Sequence, residues 1–156
     1  MMIRLFLVDD QVIIRLGLRS LLESKPALQV VGEAGNGQQA LELITALQGT
    51  ANQPDVVLMD VRMPVMDGVA ATQHICQRFP QTRVLILTTF DDDEYVSQAM
   101  QFGARGYVLK DTPSDELTMA IQAVHQGYTH MGPGLFEKIR NSPPHPLAVS
   151  AVIPPE

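Results

Sequence analysis

Asp9, Asp10, Asp60, Thr88 and Lys110 are the residues of this chain whose types suit one shared chemistry. Each stands directly after a short apolar run. Leu5-Phe6-Leu7-Val8 leads into Asp9-Asp10, and Val56-Val57-Leu58-Met59 leads into Asp60. Val84-Leu85-Ile86-Leu87 leads into Thr88, and Gly106-Tyr107-Val108-Leu109 into Lys110. Carboxylates gathered in one place repel one another, and burial sharpens the repulsion. A cation among them relieves it. Hard oxygen ligands with open positions suit Mg²⁺, which retains waters and also binds phosphate. An aspartate beside such a metal can act as nucleophile toward a phosphoryl donor and form an acyl phosphate. A lysine and a threonine hydroxyl supply positioned charge and hydrogen bonding to the phosphoryl oxygens.

These side chains meet only if the apolar runs are neighbouring parallel strands. Short continuous apolar runs that alternate with helical patterns read as buried strands of a parallel sheet. In such open sheets, ligands bind at the strand carboxyl ends. Five strand–helix units are expected. The strands fall near residues 3–8, 28–34, 55–59, 83–88 and 106–109. The first helix should set Ile14, Leu18, Leu21 and Leu22 on one side, and the second Ala40, Leu41, Ile44 and Leu47. The third carries Val69, Thr72, Ile75, Cys76 and Phe79 and is stopped by Pro80. The fourth starts in the run Asp91-Asp92-Asp93-Glu94, whose charges complement a helix N-terminus, and ends at Gly103. The fifth has Pro113 in its first turn, buries Leu117, Ala120, Ile121 and Val124, and closes at Gly127. The fold class is therefore α/β, a doubly wound five-stranded parallel sheet with helices on both faces.

The 156 residues suit one domain plus some excess, and 46% hydrophobic with 18% charged content marks a globular chain. A net charge of −6 argues against this segment gripping nucleic acid by itself. One cysteine, Cys76, excludes an intramolecular disulfide and suits a reducing compartment. No stretch approaches the roughly 20 apolar residues of a membrane span, and a cytoplasmic location with no membrane partner is expected. Six of the eleven prolines lie between Pro133 and Pro155. Residues 1–127 are thus expected to form the domain and 128–156 a Pro-rich linker or tail. A short helix is expected near 134–140, with Pro143-Pro144-His145-Pro146 extended.

Other features read more simply. Gly32, Gly35 and Gly37 follow the second strand with the wrong spacing for a dinucleotide loop and suit a turn. His74, His125, His130 and His145 lack metal-ligand spacing. Cys76 reads as a small core hydrophobe. The Asp91–Glu94 run reads as a solvated helix start.

The order and context of the site residues resemble the receiver domain of two-component response regulators. The resemblance rests on Leu7-Val8-Asp9-Asp10, Asp60-Val61-Arg62-Met63-Pro64-Val65-Met66-Asp67-Gly68, Leu87-Thr88-Thr89-Phe90 and Gly103 through Asp111. It covers roughly residues 2–127. Thr88-Thr89-Phe90-Asp91-Asp92-Asp93-Glu94-Tyr95-Val96 and Lys110-Asp111 resemble the NarL/FixJ subfamily, whose members carry a LuxR-type helix-turn-helix after the receiver.

The resemblance implies a flavodoxin-like strand order 2-1-3-4-5, the order of the chemotaxis receiver. It implies that Asp60 accepts a phosphoryl group from a sensor histidine kinase. Asp9, Asp10, Asp60 and the backbone carbonyl of Arg62 would hold Mg²⁺. Thr88, Tyr107 and Lys110 would bind or read the phosphoryl group. Arg62, Thr89 and Phe90 would form the pocket rim, where the bulk of Arg62 and Phe90 is expected to shield the acyl phosphate from water. Asp111 stands where many receivers have a proline after a cis bond, which removes the reason to expect one here.

The implied function is a phosphorylation-controlled switch. Its implied output is transcription, through a helix-turn-helix domain that residues 128–156 are too short to hold. Dimerisation on phosphorylation is expected, through helix 4, strand 5 and helix 5 or through helices 1 and 5. DNA would be touched only by the output domain. No enzymatic turnover is expected beyond self-phosphorylation and autodephosphorylation at Asp60. A stand-alone receiver acting on proteins is the alternative. An aspartate-nucleophile phosphatase of haloacid dehalogenase type would want an acid where Arg62 stands, and a pseudo-receiver would lack one of the acids or the lysine.

Overall fold

The computed structural model describes residues 2–89 and 92–132. Among these residues, six parallel strands make one sheet: β1 (Ile3–Val8), β2 (Leu28–Ala34), β3 (Val56–Asp60), β4 (Arg83–Thr88), β5 (Gly106–Leu109) and β6 (His130–Met131). Their order is β2-β1-β3-β4-β5-β6. Five helices connect them: α1 (Val12–Glu23), α2 (Gly37–Leu47), α3 (Gly68–Arg78), α4 (Asp93–Gln101) and α5 (Ser114–His125).

The expected five-stranded order is present with one addition. β6 pairs with β5 through Gly106↔His130 and Tyr107↔Met131. The sheet thus continues past Gly127, where the domain is expected to end, through β6. Two residues leave no apolar run in the sequence, so periodicity gives no signal of β6. It covers an edge that β5 would otherwise present unpaired. The expected short helix near 134–140, the extended prolines and Phe90 lie outside the described residues.

Strand alternation sorts the core into two layers. Phe6, Val8, Val57, Met59, Val84, Ile86 and Tyr107 face the layer that includes Ile44, Ile75 and Val96 of α2, α3 and α4. Leu5, Leu7, Val56, Leu58, Leu85, Leu87 and Val108 face Leu22 of α1 and Leu117, Ile121 and Val124 of α5. Every residue of β3 is buried, as a central strand covered on both faces requires.

Helix ends follow local chemistry. Asn36 caps α2 by accepting from the Gln39 N–H at 2.8 Å, and Asp67 caps α3 by accepting from the Ala70 N–H at 2.9 Å. Gly103 and Gly127 have φ of 115° and 100°, left-handed values that end α4 and α5. Pro113 stands at the position before α5 rather than inside its first turn.

α1 departs most from its expected pattern. Of Ile14, Leu18, Leu21 and Leu22, only Leu22 is fully buried. Val12, Ile13 and Leu16 are 58%, 77% and 58% exposed. An apolar residue type does not by itself say which side of a helix a sheet will cover. α1 is tied down partly by charge instead. Arg15 and Arg19 both reach Glu33 on β2, at 2.9 and 2.6 Å. The two guanidiniums hold the Glu33 carboxyl below its ordinary pKa against the opposing effect of burial.

Candidate functional site

The register of the central strands brings the polar residues to one level. Val8 is opposite Met59, Asp60 opposite Leu87, and Thr88 opposite Leu109. Asp9 and Asp10 thus follow β1, Asp60 ends β3, Thr88 ends β4 and Lys110 follows β5, all at the carboxyl edge. The Lys110 N–H donates to the Thr88 carbonyl at 2.8 Å, which fixes where the lysine leaves the sheet.

Lys110 is the centre of the arrangement. Its Nζ lies 3.1 Å from Asp60 Oδ1 and 3.2 Å from Asp9 Oδ2. Asp60 is 3% exposed and Asp9 1%. Asp60 Oδ1 also accepts from the Val61 N–H, and Asp9 Oδ1 from the Gln11 N–H, both at 2.9 Å. Burial pushes the Asp60 carboxyl up from 3.8 to about 6, and the Asp9 charge adds to the rise. The Lys110 charge and hydrogen bond and the Val61 N–H oppose it. For Lys110, burial alone would lower the pKa, but Asp60 and Asp9 outweigh it and raise it. One ammonium between two buried carboxylates leaves the pair underneutralised.

The residues fit a divalent cation. Oxygens of Asp9, Asp10 and Asp60 lie within 4.8 Å of one another, with Asp10 exposed to solvent. Asp9 Oδ2 is buried and accepts no well-aligned hydrogen bond, although Lys110 is within ion-pair distance. Buried carboxylate oxygens are ordinarily satisfied, so this oxygen keeps lone pairs open to a cation. An all-oxygen set with one open, solvated side is the donor chemistry of Mg²⁺.

The other expected site residues sit as follows. Thr88 is buried and its hydroxyl donates to the Thr89 carbonyl at 3.2 Å. Tyr107 is also buried, and its hydroxyl donates to the Gly132 carbonyl just beyond β6. Arg62 and Thr89 line the cleft over Asp60 together with Asp10 and Lys110. No cis peptide occurs among the described residues, in keeping with Asp111 after Lys110.

The acidic run at the start of α4 reads from sequence as solvated, and at Asp92 it is not. Asp92 is 5% exposed. Its carboxylate accepts from Arg62 Nε at 2.5 Å and from Thr89 Oγ1 at 3.1 Å. Sequence reasoning misses this because four acidic residues in a row look alike until a helix start sets which one turns inward. The cation at Arg62, on the same rim, is the available signal.

The turn after β3 is tight. The Gly68 N–H donates to the Val61 carbonyl at 2.9 Å. A Cβ on Gly68 would lie 2.0 Å from the Asp60 carbonyl oxygen. Val65 holds a φ of 72°, a strained value for a β-branched residue. Gly68→Ala is expected to destabilise the domain by about 3 kcal/mol or more, since backbone rather than a movable side chain is in the way. Urea denaturation checks this, and a change under 1 kcal/mol, roughly the average single-mutant effect, would contradict it.

Fold and site together define an open doubly wound α/β protein with an acidic, lysine-bridged cluster at its strand carboxyl ends. A family model described as the response regulator receiver domain matches residues 5–122, and the chain belongs to that family. It is 42% identical over 140 residues to the transcriptional regulatory protein LnrK of Bacillus subtilis, covering 90% of this chain and 61% of that protein. It is 39% identical over 126 residues to LiaR of the same organism, covering 81% and 57%. The chain therefore spans about three-fifths of the length of these relatives. Among solved structures, a LuxR-family two-component response regulator from Aurantimonas sp. matches with TM-score 0.80 and 35% identity, over 90% of this chain and 97% of that one. The signal receiver domain of the putative response regulator NarL from Mycobacterium tuberculosis matches with TM-score 0.73 and 37% identity, over 81% and 98%.

Proposed function

We propose that this domain is a phosphoacceptor switch in which Asp60 takes a phosphoryl group from a histidine kinase. The observation that carries the reading is Lys110 held between Asp60 and Asp9 at the mouth of the sheet. A carboxylate oxygen of Asp60 attacks phosphorus, the bond from phosphorus to the donor breaks, and an acyl phosphate results. Lys110 lies where it can pair with a phosphoryl oxygen, and Thr88 can turn its hydroxyl toward the same group. Asp9, Asp10, Asp60 and the Arg62 carbonyl would hold Mg²⁺, which supplies charge neutralisation for the incoming phosphoryl group. Arg62 occupies the place where a phosphatase of haloacid dehalogenase type would want an acid, so a stored acyl phosphate is favoured over turnover.

The relatives named above are transcriptional regulators. By extension, this receiver controls a DNA-binding domain in the cytoplasm. Phosphorylation favours a dimer through α1 and α5, because Ile13, Leu16 and Met119 are 77%, 58% and 66% exposed there. Exposed apolar area of this kind marks interaction faces.

Incubation with acetyl phosphate and Mg²⁺ tests the reading. Peptide mass spectrometry should find about one phosphoryl group per chain, on Asp60, and size-exclusion chromatography of the same sample should show a dimer. Repeated turnover of phosphoesters would indicate a phosphatase instead. An unlabelled Asp60 would make the domain a pseudo-receiver.

A further inference from the structure

Asp92 occupies the N-cap position of α4, where an aspartate ordinarily accepts from the first free N–H groups of its own helix. It makes no such bond. Its two oxygens go instead to Arg62 and Thr89, and it is nearly inaccessible to solvent. Arg62 is 60% exposed along its side chain, yet its guanidinium is held from two directions. Nε meets Asp92, and Cζ lies 5.1 Å from the centre of the Tyr95 ring in the first turn of α4. Arg62 comes from the turn after β3, two residues beyond Asp60, and lines the cleft above that carboxylate. One cation therefore joins the start of α4 to the rim of the site.

We propose that Asp92 is a positioning residue that competes with a phosphoryl group on Asp60 for Arg62. The competition rests on the phosphoacceptor reading of Asp60. Before phosphorylation Arg62 pairs with Asp92, while the Asp60 charge is shared with Lys110. A phosphoryl group adds negative charge and further acceptor oxygens beside Arg62. A guanidinium suits that geometry better than a single carboxylate oxygen. Drawing Arg62 away leaves Asp92 free to cap α4 and removes the cation from Tyr95. The start of α4 thus exchanges a tether to the site for an intrahelical cap. Arg62 becomes the messenger between the site and α4, in addition to any shielding of the acyl phosphate.

The test uses the whole chain, Mg²⁺ and beryllofluoride, a non-hydrolysing phosphoryl mimic. Asp92→Asn keeps the shape and removes the competing charge. It is expected to bind beryllofluoride at least roughly fivefold tighter than the wild type, the lower end of coupling between linked sites. Removing any nearby negative charge also favours an anion, so the comparison is repeated in Arg62→Ala. There the gain from Asp92→Asn should shrink to that general charge effect. Hydrogen exchange supplies a second readout: beryllofluoride should slow exchange in the first turn of α4 of the wild type, where the freed Asp92 caps the helix, but not in Asp92→Ala, which has no capping oxygen.

An equal or weaker affinity in Asp92→Asn overturns the competition alone. A gain as large in Arg62→Ala as in the wild-type background also overturns it, as does exchange at α4 that beryllofluoride leaves unchanged. A wild-type chain that takes neither beryllofluoride nor acetyl phosphate overturns the phosphoacceptor reading, and the competition with it.

Discussion

Asp60→Asn is expected to abolish labelling by acetyl phosphate and to stabilise the metal-free domain at neutral pH. The loss of labelling follows from removing the nucleophile. The gain in stability follows from burial and from the Asp9 charge, which lift the Asp60 carboxyl from 3.8 to about 6. The folded chain then holds this proton more tightly than the unfolded chain does. Between about pH 4 and pH 6 the folded state carries the extra proton, so stability falls as pH rises through that window. By pH 7 the full penalty is present. At about 1.4 kcal/mol for each tenfold change in proton affinity, its upper bound is about 3 kcal/mol. Asn carries no charge, so the variant should recover part of this and lose that share of the pH dependence. Glu33 works the other way: its lowered pKa gives stability that is present above its unfolded value and lost on acidification. The readout is therefore the difference between wild type and variant in urea denaturation from about pH 4.5 to 7.5, a window spanning the Asp60 titration, without divalent cation. Parallel curves across that range would show that Asp60 bears no such strain.

Lys110→Ala is expected to have the opposite effect on stability. It removes the ammonium 3.1 Å from Asp60 and 3.2 Å from Asp9, leaving two buried carboxylates facing each other. Breaking a buried ion pair from one side costs about 3–5 kcal/mol. Lys110 is 26% exposed, so roughly 2–3 kcal/mol is expected here. Mg²⁺ should restore much of the loss, because it can neutralise the same oxygens. The thermal midpoint of the variant should thus respond more strongly to Mg²⁺ than that of the wild type. Labelling by acetyl phosphate should slow by about 100-fold, the effect of losing one oriented stabiliser. If Mg²⁺ raised both midpoints equally, the lysine and the metal would not be acting on the same charge deficit.

How much of the fold and site is legible in the residues differs from element to element. Strands β1, β2, β4 and β5 lie where their apolar runs put them, since a buried central strand needs a continuous apolar run. The meeting of Asp9, Asp60 and Lys110 follows from those runs and from the rule that parallel strands end on one side. β6 is not legible, because two residues carry no period. The exposure of Val12, Ile13 and Leu16 is not legible either. α1 carries apolar residues on more than its sheet-facing side, and only packing decides which of them are covered.

Residue type and spacing were enough to say which side chains could do chemistry, which strands carry them and which family the chain resembles. These are local or periodic properties, so they survive in the bare order of residues. Packing in three dimensions set the sharing of one ammonium by two buried carboxylates, the inward turn of Asp92 toward Arg62, and the bond from Tyr107 to Gly132. Each depends on distances between residues remote along the chain. Desolvation and Coulomb energy act on such distances, and no spacing along the chain contains them.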